Sequence, residues 1–123
     1  MAGALTISTL NNDTGPLATQ NGMTGICKGW ISFAGGAGTI TDSFNFSSMT
    51  KVATGRYTFS FTSAMANSTY TIQCNGDLGT NGGGYFQSIG GYSTTAINEI
   101  RFYRVDNQGF LDPTRGYVAV FGS

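Results

Sequence analysis

Gly55-Arg56-Tyr57-Thr58-Phe59-Ser60-Phe61-Thr62-Ser63-Ala64-Met65 carries an aromatic ring at every second position from 57 to 61, with hydroxyl side chains between them. A period of two puts the rings on one side of an extended chain and the hydroxyls on the other. That is a half-buried β-strand and not a helix. On either side of it, short extended segments recur between turn clusters near Ile26–Ala34, Asp42–Ser48, Thr50–Ala53, Arg56–Thr62, Thr69–Asn75, Tyr85–Ile89, Ala96–Val105 and Tyr117–Phe121. The glycine-rich breaks between them favour an all-β antiparallel sandwich. Phe44 with Phe46, Tyr70 with Ile72 and Cys74, and Ile100 with Phe102 keep the same phase and are expected to fill the space between two sheets. No segment supports a long helix, and Ser63 to Asn67 is the one plausible helical turn.

The last strand reads differently. Tyr117-Val118-Ala119-Val120-Phe121 is apolar on both sides, so it is expected either at the centre of a sheet or buried against another subunit, the second being preferred. Residues 1–25 behave as an arm, with turn signals at Asn11-Asn12-Asp13-Thr14-Gly15-Pro16 and at Asn21-Gly22. The sandwich is assigned to residues 26–123. The arm is expected to pack on the main body, on sister chains or on an attachment partner.

A chain of 123 residues fits one domain. Phe, Ile, Leu and Val supply only roughly a fifth of it, near the level where a core becomes thin. Nineteen glycines add turn-prone sequence without core volume, so burial between subunits is expected to help. Six basic and six acidic residues are scattered, with no run of either sign. A nucleic-acid partner, which needs clustered cations, is not expected; Arg101 and Arg104 sit among Glu99 and Asp106 and read as a solvated strand face. Met1 to Leu10 has no basic side chain and is not a secretory signal. No apolar run approaches a membrane span, so no membrane insertion is expected and synthesis is placed in a cytoplasm. Cys27 and Cys74 fall in separate predicted strands. Their spacing leaves a disulfide open, with buried free thiols the preferred reading.

The chain has no histidine, which removes the usual general base and the commonest metal ligand. Paired carboxylates are the remaining route to hydrolytic chemistry. Asp77, Glu99, Asp106 and Asp112 are unpaired in sequence and read as solvated surface acids. Neither catalysis nor a cofactor or metal is expected. The clusters Gly35-Gly36-Ala37-Gly38 and Gly79-Thr80-Asn81-Gly82-Gly83-Gly84 are followed by strands and not by helix N-termini, so they read as hairpin or surface loops and not as phosphate cradles. Function is expected in the loops Asp77 to Tyr85, Gly90 to Thr95 and Asp106 to Arg115, where tyrosine offers flat contact and Asn or Asp offers hydrogen bonds. Asp77, Asn81, Tyr85, Tyr92 and Asn107 are the candidate binding residues.

The block Ile26-Cys27-Lys28-Gly29-Trp30-Ile31-Ser32-Phe33 resembles a Lys-Ala-Trp-Val-x-Phe pattern common in bacteriophage tail fibre proteins. Ser43-Phe44-Asn45-Phe46-Ser47-Ser48 resembles a second block of that family, and Gly55 to Met65 a third. Asn67-Ser68-Thr69-Tyr70, Phe110-Leu111-Asp112-Pro113 and Val118-Ala119-Val120-Phe121-Gly122 follow in the family's order, and Leu5 to Met23 is similar to the segment that precedes these blocks. The resemblance implies a distal, usually trimeric fibre domain on the virion that contacts a bacterial surface glycan or protein. It implies attachment to another virion protein through the arm. Trp30, Tyr117, Val118, Val120 and Phe121 then become candidates for the subunit interface, with a place in the core as the alternative for Trp30. A purely structural virion component is the alternative function.

Overall fold

The computed structural model describes residues 3, 4, 6, 9–12, 15–18, 26–79, 85–104 and 109–122. The strands are β1 (Thr9–Asn12), β2 (Gly15–Ala18), β3 (Cys27–Ala34), β4 (Thr39–Phe44), β5 (Phe46–Ala53), β6 (Arg56–Phe61), β7 (Thr71–Asp77), β8 (Tyr85–Tyr92), β9 (Ala96–Arg104), β10 (Gly109–Phe110) and β11 (Arg115–Phe121). All pairings are antiparallel. One sheet has the order β4-β3-β11-β7; the other runs β8-β9-β6-β5, with the short β10 paired to the end of β9 on the same side as β6. The two sheets pack face to face as a β-sandwich. In the arm, β1 and β2 form a hairpin closed by Asn12 opposite Gly15. Among the described residues there is no helix, and Ser63 to Asn67 is a series of bends that drops Met65 into the core.

The alternation quoted above is the spine of the core. Tyr57, Phe59 and Phe61 of β6 point inward beside Ile97, Ile100 and Phe102 of β9, and Ile31, Phe33, Val118 and Val120 meet them from the opposite sheet. Phe33 sits at the centre, its ring 5.0 Å from Tyr57, 5.4 Å from Phe59 and 6.0 Å from Phe102. Burying each such side chain stabilises the fold by about 1.5–3 kcal/mol.

Phe44 and Phe46 do not share a face. Asn45 adopts a left-handed backbone (φ 61°), a conformation asparagine tolerates better than most residues. The chain turns a corner there and leaves one sheet for the other, a recognised way for sandwich strands to switch sheets. Phe44 therefore ends β4 with 53 % of its surface exposed, while Phe46 begins β5 in the core. Asn45 holds the corner with its own side chain. Its Nδ2 donates to the carbonyls of Lys28 (2.9 Å) and Ser63 (3.2 Å), and its Oδ1 accepts from the Ser63 amide at 2.7 Å. The expected single strand Asp42–Ser48 is thus two strands, and Thr50–Ala53 is the end of the second.

The last strand is central, between β3 and β7, and among the described residues only one of its faces is covered. Gly116, Val118 and Val120 point inward, whereas Tyr117 on the other face is exposed. Val118 and Val120 belong to the sandwich core and are buried within the chain itself.

Cys27 and Cys74 lie on β3 and β7, on opposite sides of β11, facing Phe121 and Val118 respectively. Two strand spacings, about 9.5 Å, separate them laterally, and they are offset along the strands as well. That exceeds the roughly 7 Å a disulfide spans, and both thiols are free. Adding a reductant is therefore expected to leave the urea midpoint unchanged, and a thiol titration of the unfolded chain should count both cysteines without reduction. A midpoint lowered by reductant would contradict this geometry.

Candidate functional site

The outward face of the β4-β3-β11-β7 sheet follows from strand alternation. With Ile31, Phe33, Val118 and Val120 turned in, Trp30, Ser32, Tyr117 and Ala119 must turn out, joined by Gln73 and Asn75 from β7. Register then builds two rows across the sheet. Phe44, Trp30, Ala119 and Gln73 form one; Asp42, Ser32, Tyr117 and Asn75 form the next. Large and small side chains alternate like a chequerboard, Trp30 beside Ala119 and Tyr117 beside Ser32. The result is an open groove of about 790 Å³ lined by Trp30, Ser32, Gln73, Asn75, Tyr117 and Ala119. Trp30 remains 40 % and Tyr117 38 % exposed, so the tryptophan is not a core residue. At one end of the same face Phe44 is also exposed and Phe121 is half-buried, and Ile26, just before β3, is exposed as well.

The charged residues are arranged for structure. Asp112 Oδ2 lies 2.7 Å from Lys51 Nζ, while its Oδ1 accepts from the Gly55 amide at 2.8 Å and from the Tyr57 hydroxyl at 2.7 Å. The same hydroxyl lies 2.8 Å from the Gly35 carbonyl. Burial alone pushes the Asp112 carboxyl up, but Lys51, the Gly55 N–H and the Tyr57 hydroxyl outweigh it and hold it below its ordinary value. Burial, reinforced by Asp112, pushes the Tyr57 phenol well above its ordinary value. Glu99 bonds Arg56 Nε through one oxygen and Arg101 through the other at 3.1 Å. These two guanidiniums, Arg56 foremost, hold its carboxyl down to about 2. Glu99 and Asp112 are therefore partly buried, ion-paired groups and not solvated surface acids, and Arg101 is a salt-bridge partner and not a free cation. No cluster suited to a metal ion occurs among the described residues.

These pairs give the fold an acid limit. Both carboxyls titrate lower folded than unfolded, so their contribution is complete above the unfolded values of about 4 and disappears as pH falls toward the folded ones. The urea midpoint is expected to fall between about pH 4.5 and 2, and to fall less steeply in Glu99→Gln. A midpoint flat over that interval would show that the pairs do not form.

Among the described candidate loop residues, Tyr92 lies apart from Asp77 and Tyr85. Asp77 ends β7, where its Oδ1 accepts from the Gly79 amide (2.7 Å) and its carbonyl from Thr114. Tyr92 ends β8 with its ring 5.0 Å from Tyr70, which immediately precedes β7. The length of β7, about 20 Å, thus separates Tyr92 from Asp77. Tyr85 starts β8 opposite Arg104, at the far end of that strand from Tyr92. Asn81, Asn107 and Asp106 lie outside the described residues. Sequence reasoning missed Ser32, Gln73, Asn75 and Ala119. Their signal was the phase opposite to Ile31, Val118 and Ile72, legible only once the strands are known to be neighbours. Compared with family models, curated proteins and solved structures, the chain matches none.

Proposed function

We propose that this sandwich is a virion-borne adhesin, a tail fibre tip that recognises a bacterial surface receptor without catalysis. The ordered blocks that resemble tail fibre proteins support the reading. The observation that carries it is the exposed groove between Trp30 and Tyr117, a concave surface with aromatic contact and hydrogen-bonding side chains unused among the described residues, while Glu99 and Asp112 are taken up in ion pairs. In this proposal three copies assemble, meeting through the apolar end of the sheet at Ile26, Phe44 and Phe121 and leaving the groove open. Three linked sites turn weak single contacts into firm attachment. The arm joins another virion protein.

The test is adsorption of the labelled chain to a panel of bacterial strains, scored by co-sedimentation. Saturable binding to some strains and not others is the expected result. Absence of adsorption to every strain, with no interference with infection, would overturn the adhesin reading and favour a purely structural virion part.

A further inference from the structure

We infer that the groove on the β3-β11-β7 face is a binding site for a neutral saccharide, held by stacking on Trp30 and Tyr117 and by hydrogen bonds to Gln73, Asn75 and Ser32. The inference deepens the adhesin reading and rests on it for its biological meaning, by naming the receptor as glycan and its site as a sheet face and not the loops.

Four observations carry it. First, the groove's volume of about 790 Å³ falls in the range of small-ligand sites, which is about 300–1,000 Å³. Second, its walls are two aromatic side chains on diagonal positions of adjacent strands, since Trp30 faces Ala119 and Tyr117 faces Ser32. Such a diagonal leaves about 7–8 Å between positions, the scale of one sugar ring. Third, Ala119 keeps the floor low, so a ring can settle between the walls. Fourth, the polar groups around it are free to bind. The Gln73 amide and the Ser32 hydroxyl have no hydrogen-bond partner among the described residues, and Asn75 uses only its oxygen, accepting from Gly76 at 2.9 Å.

The chemistry of that set selects its ligand. A pyranose has an apolar C–H face suited to an aromatic ring and a rim of hydroxyls that both donate and accept. Side-chain amides and hydroxyls do the same, so each can satisfy a sugar hydroxyl in either sense. None of the residues lining the groove is charged, so the groove itself offers no cation to a phosphate, a sulfate or an acidic sugar. A second copy of this chain suits the face less well. Covering it with a protein surface would strand the amides of Gln73 and Asn75 unless every one found a partner.

The probe is a panel of short neutral hexose and N-acetylhexosamine oligosaccharides, titrated into the full chain. Trp30 is the only tryptophan, so its fluorescence reports the groove directly. The expected result is a saturable change with at least one oligosaccharide, with Kd near about 1 mM for so open a site and little dependence on salt. Tyr117→Ala and Gln73→Ala should each weaken binding, the former by about tenfold. Val52→Ser, an exposed position on the other sheet, should not. Both groove positions are on the surface, and circular dichroism confirms that each variant folds. No response to any oligosaccharide, or equal affinity in Tyr117→Ala, overturns the site. So does a wild-type multimer in native mass measurement that Tyr117→Ala dissociates, because the face is then an interface. If Tyr117→Ala still adsorbs to bacteria like the wild type, the saccharide site falls while the adhesin reading stands. If the wild type binds sugar but adsorbs to no strain, the adhesin reading falls and the groove stands as a sugar site.

Discussion

Replacing Gly116 by alanine is expected to destabilise the fold by about 3 kcal/mol or more, beyond the usual cost of one added methyl. A Cβ built there lies 2.2 Å from Phe33 Cζ and under 3 Å from both neighbouring ring carbons, Cε1 at 2.6 Å and Cε2 at 2.7 Å. The ring cannot step aside. It is fully buried, with Tyr57, Phe59 and Phe102 packed around it. The glycine exists so that Phe33 can lie flat across β11, and its cross-strand neighbour Gly76 gives Phe102 the same room. Gly36→Ala is the matched control, since nothing lies within 4 Å of its added carbon, and it should shift stability by no more than about 0.5 kcal/mol. Urea unfolding of the two variants decides the matter. Equal midpoints would mean that Phe33 does not cover Gly116.

The second large effect belongs to Asp112. Its carboxylate joins the Lys51 ammonium, the Gly55 amide and the Tyr57 hydroxyl, and so ties the segment before β11 to the turn between β5 and β6. Asp112→Ala removes three hydrogen bonds and leaves the buried Gly55 N–H without an acceptor. The cost is about 3 kcal/mol, in the range for breaking a buried charged network by removing one partner. Tyr57→Phe removes a single hydroxyl and should cost about 1 kcal/mol. Asp112→Asn keeps an acceptor but loses the charge that Lys51 needs, and should fall between them. If Asp112→Ala proves no worse than Tyr57→Phe, the network contributes little and Pro113 packing alone holds that segment.

Much of this architecture was legible from alternation. Tyr57, Phe59 and Phe61 needed no partner to be recognised as one face, because hydroxyls occupy the other. The same reasoning failed at Phe44 and Phe46, where Asn45 reverses the phase by turning a corner, and asparagine among serines does not advertise a positive φ. It also failed on β11, since Tyr117 and Ala119 are as apolar as Val118 and Val120 and alternation has no contrast to work with. Asp112 and Glu99 looked like surface acids because their cationic partners stand far away in sequence, Lys51 by 61 positions and Arg56 by 43. The groove was hidden for a related reason. Trp30, Tyr117 and Gln73 come from three strands that meet only through the sheet order β3-β11-β7, and no local pattern encodes that order.

Trp30 is expected to face water from an open groove and not from a core or a contact between copies. Iodide quenching of its fluorescence tests this directly, because no other tryptophan contributes. A native chain whose tryptophan is quenched within about a factor of three of the unfolded chain, with the same value at every protein concentration, is the predicted result for a side chain 40 % exposed. A tryptophan shielded from iodide in the folded protein, or one that becomes quenchable only on dilution, would contradict it.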